Sequence, residues 1–110
     1  MKSYLFLLLA IFFEIVATTF LKKSEQFTQL KPSVITIVGY VLAFYFLSLT
    51  LRTIPVGVAY AIWSGVGIVL ITFVGIIMFR QTPDLPAIIG LILITSGVIV
   101  INLFSKMAAH

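Results

Sequence analysis

Four uninterrupted apolar runs dominate this chain: Tyr4–Leu21, Ser33–Leu51, Val56–Phe79 and Pro86–Phe104. Each has at least 18 residues, enough as a helix to cross roughly 30 Å of hydrocarbon at about 1.5 Å per residue. Backbone polar groups in lipid must be satisfied within the segment, so runs of this length specify helices. Alternating ten-residue segments of the kind that build a barrel are absent. Composition closes off the soluble alternative: the chain is 62% hydrophobic and 9% charged, against about 25% charged in ordinary globular domains. The expected fold class is an all-α integral membrane protein, with residues 1–110 forming one four-helix transmembrane domain.

The punctuation agrees. Pro32, Pro55, Pro83 and Pro86 all fall between the runs or at their first turns, where a missing N–H removes no helical bond. Asp84 is a plausible N-cap for the fourth helix. The segment KKSEQFTQLKP is the longest connection and the others are short, which makes sequential helices antiparallel neighbours. The first run is too long for a signal peptide, holds an acid and lacks a small-residue cleavage site.

Charge excludes several function classes. Seven Lys and Arg outnumber three acids, for a net charge of +4, but the basic residues stand singly between apolar runs and form no stripe for nucleic acid. Anchoring helix ends at headgroups explains them. Lys2, Arg52 and Lys106 fall on one side of a four-span topology, and Lys22, Lys23, Lys31 and Arg80 on the other. That near balance gives the positive-inside rule little to act on, and it suits a chain that inserts both ways, with opposite copies associating. There is no cysteine and a single histidine, His110, so neither thiolate nor clustered metal ligands are available. No nucleophile–base pair and no phosphate-binding glycine loop marks an enzyme, and no cofactor is expected.

Glu14 breaks the pattern. It is the only acid or base in the run Tyr4–Leu21. A charged acid at a helix centre costs roughly 2.5–3.5 kcal/mol on insertion scales, and such residues mark ion or substrate pathways. Every Lys and Arg lies in a loop or at a helix end, so Glu14 has no cation of its own within the membrane. It is therefore either protonated or paired with a cation from outside the chain. Competition between proton and cation for one carboxylate is itself an exchange mechanism. The neighbours three and four residues away are Ala10, Ile11, Ala17 and Thr18, and these share its face. Two alanines and a threonine leave space beside the acid; close helix packing through small residues is the competing explanation.

Aromatic residues supply a second element. In GVAYAIWSGVGIVL, Tyr60, Trp63, Ser64 and Gly67 recur at helical spacing on one face. Trp63 lies well inside its span, whereas interfacial tryptophans lie near helix ends. Ring faces attract a lipophilic or quaternary cation whose charge an acid balances. Tyr40 and Phe44, four apart in the second run, extend such a wall, with core packing the alternative. Gly65 and Gly67 sit mid-helix and permit a bend. In the fourth run, Gly90, Leu93, Ile94, Gly97 and Ile101 follow heptad-like spacing, the pattern of a helix–helix contact, here assigned to dimerisation. A dimer supplies two acids and eight helices, and opposite insertion makes it an inverted repeat of the kind used for alternating access.

AIFFEIVATTFLKKSEQF, PVGVAYAIWSGVGIVLI and DLPAIIGLILITSGVIVINLFS resemble the small multidrug resistance family of bacterial inner-membrane transporters, and within it the quaternary-ammonium, multidrug subtype. The resemblance covers nearly the whole chain. It implies an antiparallel, dual-topology homodimer that exports polyaromatic or quaternary cations in exchange for protons. It implies that Glu14 of each protomer binds proton and drug in one chamber, that Tyr60 and Trp63 contact substrate, and that Tyr40, Phe44, Thr18 and Ser64 contribute less. It also implies a bend at Gly65 and Gly67 and a dimer contact along the fourth helix. The guanidinium-exporting subtype carries Trp just after the membrane acid and WTG in the third helix; here Ala17, Thr18 and Thr19 follow Glu14, and WSG is present. Three positions depart from the multidrug pattern: Ala17, where Gly is frequent, and Lys31 and Tyr45, where Trp is frequent. A non-transporting membrane subunit is the remaining alternative, and it predicts no ligand binding.

Overall fold

A computed structural model describes residues 2–106 as four helices: α1 (Lys2–Lys23), α2 (Leu30–Thr50), α3 (Val56–Phe79) and α4 (Leu85–Phe104). All four are long and apolar enough to cross a membrane, and there is no strand among the described residues. The boundaries follow the sequence closely. The main difference is that α2 starts at Leu30, three residues before Ser33, with Pro32 inside its first turn. Pro is tolerated there because the first N–H groups of a helix have no internal partner. At the fourth helix Asp84 is the N-cap, its Oδ1 accepting from Ala87 N at 3.1 Å.

Between α1 and α2 the chain makes an unusual turn. Glu25, Gln26 and Phe27 are all left-handed, with φ of 49°, 64° and 65°, although none is glycine. Ser24, fully buried, holds them: its carbonyl accepts from Thr28 N at 2.9 Å and Gln29 N at 3.0 Å, and its Oγ accepts from Phe27 N at 3.2 Å. These bonds offset a left-handed conformation that costs about 1–2 kcal/mol per residue. Further along, α3 ends at Arg80 (φ 53°), with the N–H of Gln81 on the Gly75 carbonyl at 2.9 Å, the left-handed helix stop.

The chain divides between Arg52 and Thr53 into two compact units, α1 with α2 and α3 with α4. In the first, α1 buries Leu7, Ala10, Ile11 and Ala17, and α2 buries Thr36, Gly39, Ala43 and Leu47. Phe46 of α2 stacks on two rings of α1, Phe6 at 6.1 Å and Phe13 at 5.7 Å between centroids. Hydroxyls buried in the helices bond their own backbone four residues back: Thr19 to Ile15 O, Thr36 to Pro32 O and Thr50 to Phe46 O. In hydrocarbon that local bond replaces water. In the second unit, α3 buries Val58, Ala59, Ile62, Gly65, Gly67 and Gly75, whereas α4 buries nothing.

Candidate functional site

Glu14 lies on the buried stripe of α1. Residues 7, 11, 14 and 18 recur at the four- and three-residue steps of one helix face, and Leu7 and Ile11 are among the most deeply buried side chains. The acid itself is half-buried. Thr18, one turn on, donates its hydroxyl to Glu14 Oε1 at 2.8 Å. Thr18 Oγ1 also lies 2.8 Å from the Tyr40 hydroxyl of α2. A threonine has one hydroxyl proton. With that proton on Glu14, Tyr40 must donate to Thr18, and the order is Tyr40 to Thr18 to Glu14. Thr18 is the only hydrogen-bond partner of Glu14 among the described residues, and no ion pair reaches the acid there.

The first unit also brings Tyr40 and Phe44 together. Their rings are stacked at 6.5 Å, 28° apart, and Phe44 is exposed. Ala10 and Ile11, on the Glu14 face, are buried, as close packing requires. The sequence placed Thr18 beside Glu14 and left the link to Tyr40 open; a bond across two helices has no signature in either helix alone.

In the second unit, Tyr60 and Trp63 stack at 6.4 Å with their planes 21° apart. Tyr60 is about half exposed, Trp63 is half-buried and Ser64 is exposed, so the open ring surface is that of Tyr60. α3 runs as one helix through Gly65 and Gly67. A Cβ on Gly65 would overlap Val98 Cγ2 of α4, which gives Gly65 a packing role. The proposed contact face of α4 is open: Leu93, Ile94 and Gly97 are exposed, and a Cβ on Gly90 or Gly97 would meet nothing within 4 Å. A groove of about 400 Å³ between α3 and α4 is lined by Val69, Thr72, Phe73, Ile88, Leu91 and Thr95, among others. Its lining holds no ionisable group, so it offers no counter-charge to a cation. No cluster of metal-ligating residues occurs among the described residues.

A half-buried carboxylate with one oxygen fixed by a hydroxyl can hold a proton or a single organic cation. Stacked rings such as Tyr60 and Trp63 can bind the apolar or π-rich body of such a cation. Sequence comparison bears on this chemistry. The family model described as Small Multidrug Resistance protein matches residues 2–94. Over 110 residues, spanning all of both chains, the sequence is 54% identical to the quaternary ammonium compound-resistance protein QacE of Escherichia coli. It is 54% identical to QacF of Klebsiella aerogenes over the same full span, and 53% identical, again over the whole of both chains, to the multidrug transporter EmrE of Escherichia coli K12.

Proposed function

The chain belongs to the small multidrug resistance family, and from that premise we propose that it exports lipophilic organic cations, quaternary ammonium and polyaromatic, in exchange for protons. It is a multi-pass protein of the bacterial inner membrane. The working unit in this reading is an antiparallel homodimer. Glu14 supplies the charge that proton and cation contest. Tyr60 and Trp63 supply ring faces, and Ser64 and Phe44 lesser contacts. The coupling ion is the proton and no other cofactor takes part.

One observation carries this reading: Glu14 sits on a packed, apolar helix face with no internal cation among the described residues, and with one oxygen already ordered by Thr18. An acid so placed is functional by default. Relatives named for quaternary ammonium resistance and multidrug transport support the same chemistry.

The lone tryptophan, Trp63, gives the test. Detergent-solubilised protein is titrated with tetraphenylphosphonium, and separately with guanidinium, following Trp63 fluorescence at several pH values. The expected result is quenching by tetraphenylphosphonium, with affinity rising with pH because the proton competes for the same carboxylate, and loss of binding in Glu14→Gln. Binding of guanidinium alone would move the protein to the guanidinium subtype. Failure of both ligands on folded dimer would leave a non-transporting subunit.

A further inference from the structure

Gly39 was not among the sequence candidates, yet it packs closely against α1. A Cβ built there lies 2.9 Å from Ala17 Cβ, 3.2 Å from the Phe13 carbonyl oxygen and 3.3 Å from Ala17 Cα. Phe13, Ala17 and Gly39 immediately precede Glu14, Thr18 and Tyr40. This close packing is thus one residue removed from every member of the hydrogen-bonded chain.

We infer that the Ala17–Gly39 contact is a positioning device for Glu14: it sets the helix spacing at which Tyr40 reaches Thr18, and Thr18 in turn orients the carboxylate. This rests on Glu14 being the cation site. The geometry is demanding. Ordinary carbon–carbon contact is about 3.5–4.0 Å, so a methyl group at position 39 drives α2 from α1 by up to about 1 Å. The Thr18–Tyr40 oxygens are 2.8 Å apart, and O–H···O bonds lie within about 2.5–3.0 Å. A displacement of that size breaks the link. Thr18 is then free to turn its proton elsewhere, and Glu14 Oε1 loses its fixed donor. In this account Tyr40 and Thr18 act on the acid, and Tyr40 need not touch the cation with its hydroxyl. Glu14 Oε1 is occupied by Thr18, which leaves Oε2 for the ligand.

The test uses full-length protein in lipid vesicles and two readouts. The first is the infrared band of the Glu14 carboxyl group, protonated or ionised, without ligand and at fixed pH, assigned by its disappearance in Glu14→Gln. The second is tetraphenylphosphonium affinity. Gly39→Ala and Tyr40→Phe should shift the band in the same direction and weaken binding by roughly three- to tenfold, the worth of one hydrogen bond. Adding Ala17→Gly to Gly39→Ala should return both readouts part of the way, because the Phe13 oxygen and Ala17 Cα remain close. An unmoved band in Tyr40→Phe overturns the inference, whether or not affinity falls. So does a double variant as perturbed as Gly39→Ala alone. Should Gly39→Ala fail to fold, the Tyr40→Phe band still decides. Undiminished affinity in Glu14→Gln overturns the cation-site reading itself, and that outcome is distinct from an unmoved band, which is read without ligand.

Discussion

The two helical hairpins solve the same problem differently. In α1–α2, packing is close and polar groups are matched across it: Phe46 stacks on Phe6 and Phe13, Gly39 admits Ala17, and Tyr40 reaches Thr18. In α3–α4, one helix buries six residues and the other none. Gly65 packs against Val98 closely enough that a Cβ there would overlap it. The first hairpin holds the one acid within a helix, and a hydroxyl orients it. The second presents surfaces, the Tyr60–Trp63 pair on α3 and the glycine face of α4, and surfaces are completed by something else. Lipid and a second copy are the available coverings in a membrane. The difference teaches that order is concentrated around the one acid held inside a helix, and that the second hairpin leaves its apolar faces open.

The largest expected effect separates chemistry from packing. Glu14→Gln keeps the shape and an acceptor for Thr18 but removes the charge. Losing one member of a close charge pair costs about 2–5 kcal/mol, so cation affinity should fall by roughly 30-fold to several thousandfold. The pH dependence should vanish with it. If proton and cation contest one carboxylate, wild-type binding should strengthen as pH rises; the amide has no proton to lose. Equilibrium binding across pH checks both, and thermal melting of the same samples should show an unchanged fold. If stability falls as much as binding, the acid is structural and the contrast between the hairpins fails.

The α4 face comes next. Gly97→Leu meets no atom within 4 Å at its Cβ, so the hairpin itself should be untouched. If the face packs on a second copy, a leucine there prevents close approach, and dimer formation should weaken at least about tenfold by energy transfer between labelled protomers, or 1.4 kcal/mol. Unchanged association would mean that lipid covers α4. Gly65→Ala has a smaller, internal effect. Its Cβ would strike Val98, a β-branched side chain with little rotamer freedom, and overpacking of this kind costs about 1–3 kcal/mol. Adding Val98→Ala should recover part of the loss in melting temperature, which a general weakness of the second hairpin would not.

Much of this was legible in the residues, and for clear reasons. Length and hydropathy fix membrane helices because lipid permits few alternatives, and α3 coincides with its expected span, Val56–Phe79. Asp84 announced the start of α4 through capping chemistry. Glu14 stood out because an acid among Ile, Phe and Val is costly to bury in a membrane and is functional by default. Three features were not legible. The turn at Glu25–Phe27 has no glycine to signal three left-handed residues; it depends on Ser24 collecting their bonds. The Tyr40–Thr18 bond joins residues on different helices, and helical periodicity reports only neighbours on one. Gly39 looks unremarkable among the small residues of α2 until Ala17 is seen against it. What the sequence withholds is the pairing of faces, because each face is written on one helix and its partner on another.

The smallest expected effect probes the second hairpin at its edge. Asp84 is exposed and accepts one bond, from Ala87 N. Pro86 has no N–H, so Ala87 N is among the few donors at this helix start that need an acceptor. Asp84→Ala removes both that acceptor and a negative charge at the positive end of the helix dipole, and should cost about 1 kcal/mol. Asp84→Asn keeps the acceptor and loses only the charge, so about 0.3–1 kcal/mol should go. Thermal melting of the three proteins should give the order Asp, Asn, Ala. Cation affinity should not follow that order, because the Glu14 geometry is set within α1 and α2 by Thr18, Tyr40 and the Ala17–Gly39 contact. If affinity tracks the melting temperature through this series, the first hairpin does not hold its own geometry, and the two units cannot be treated as separate in kind.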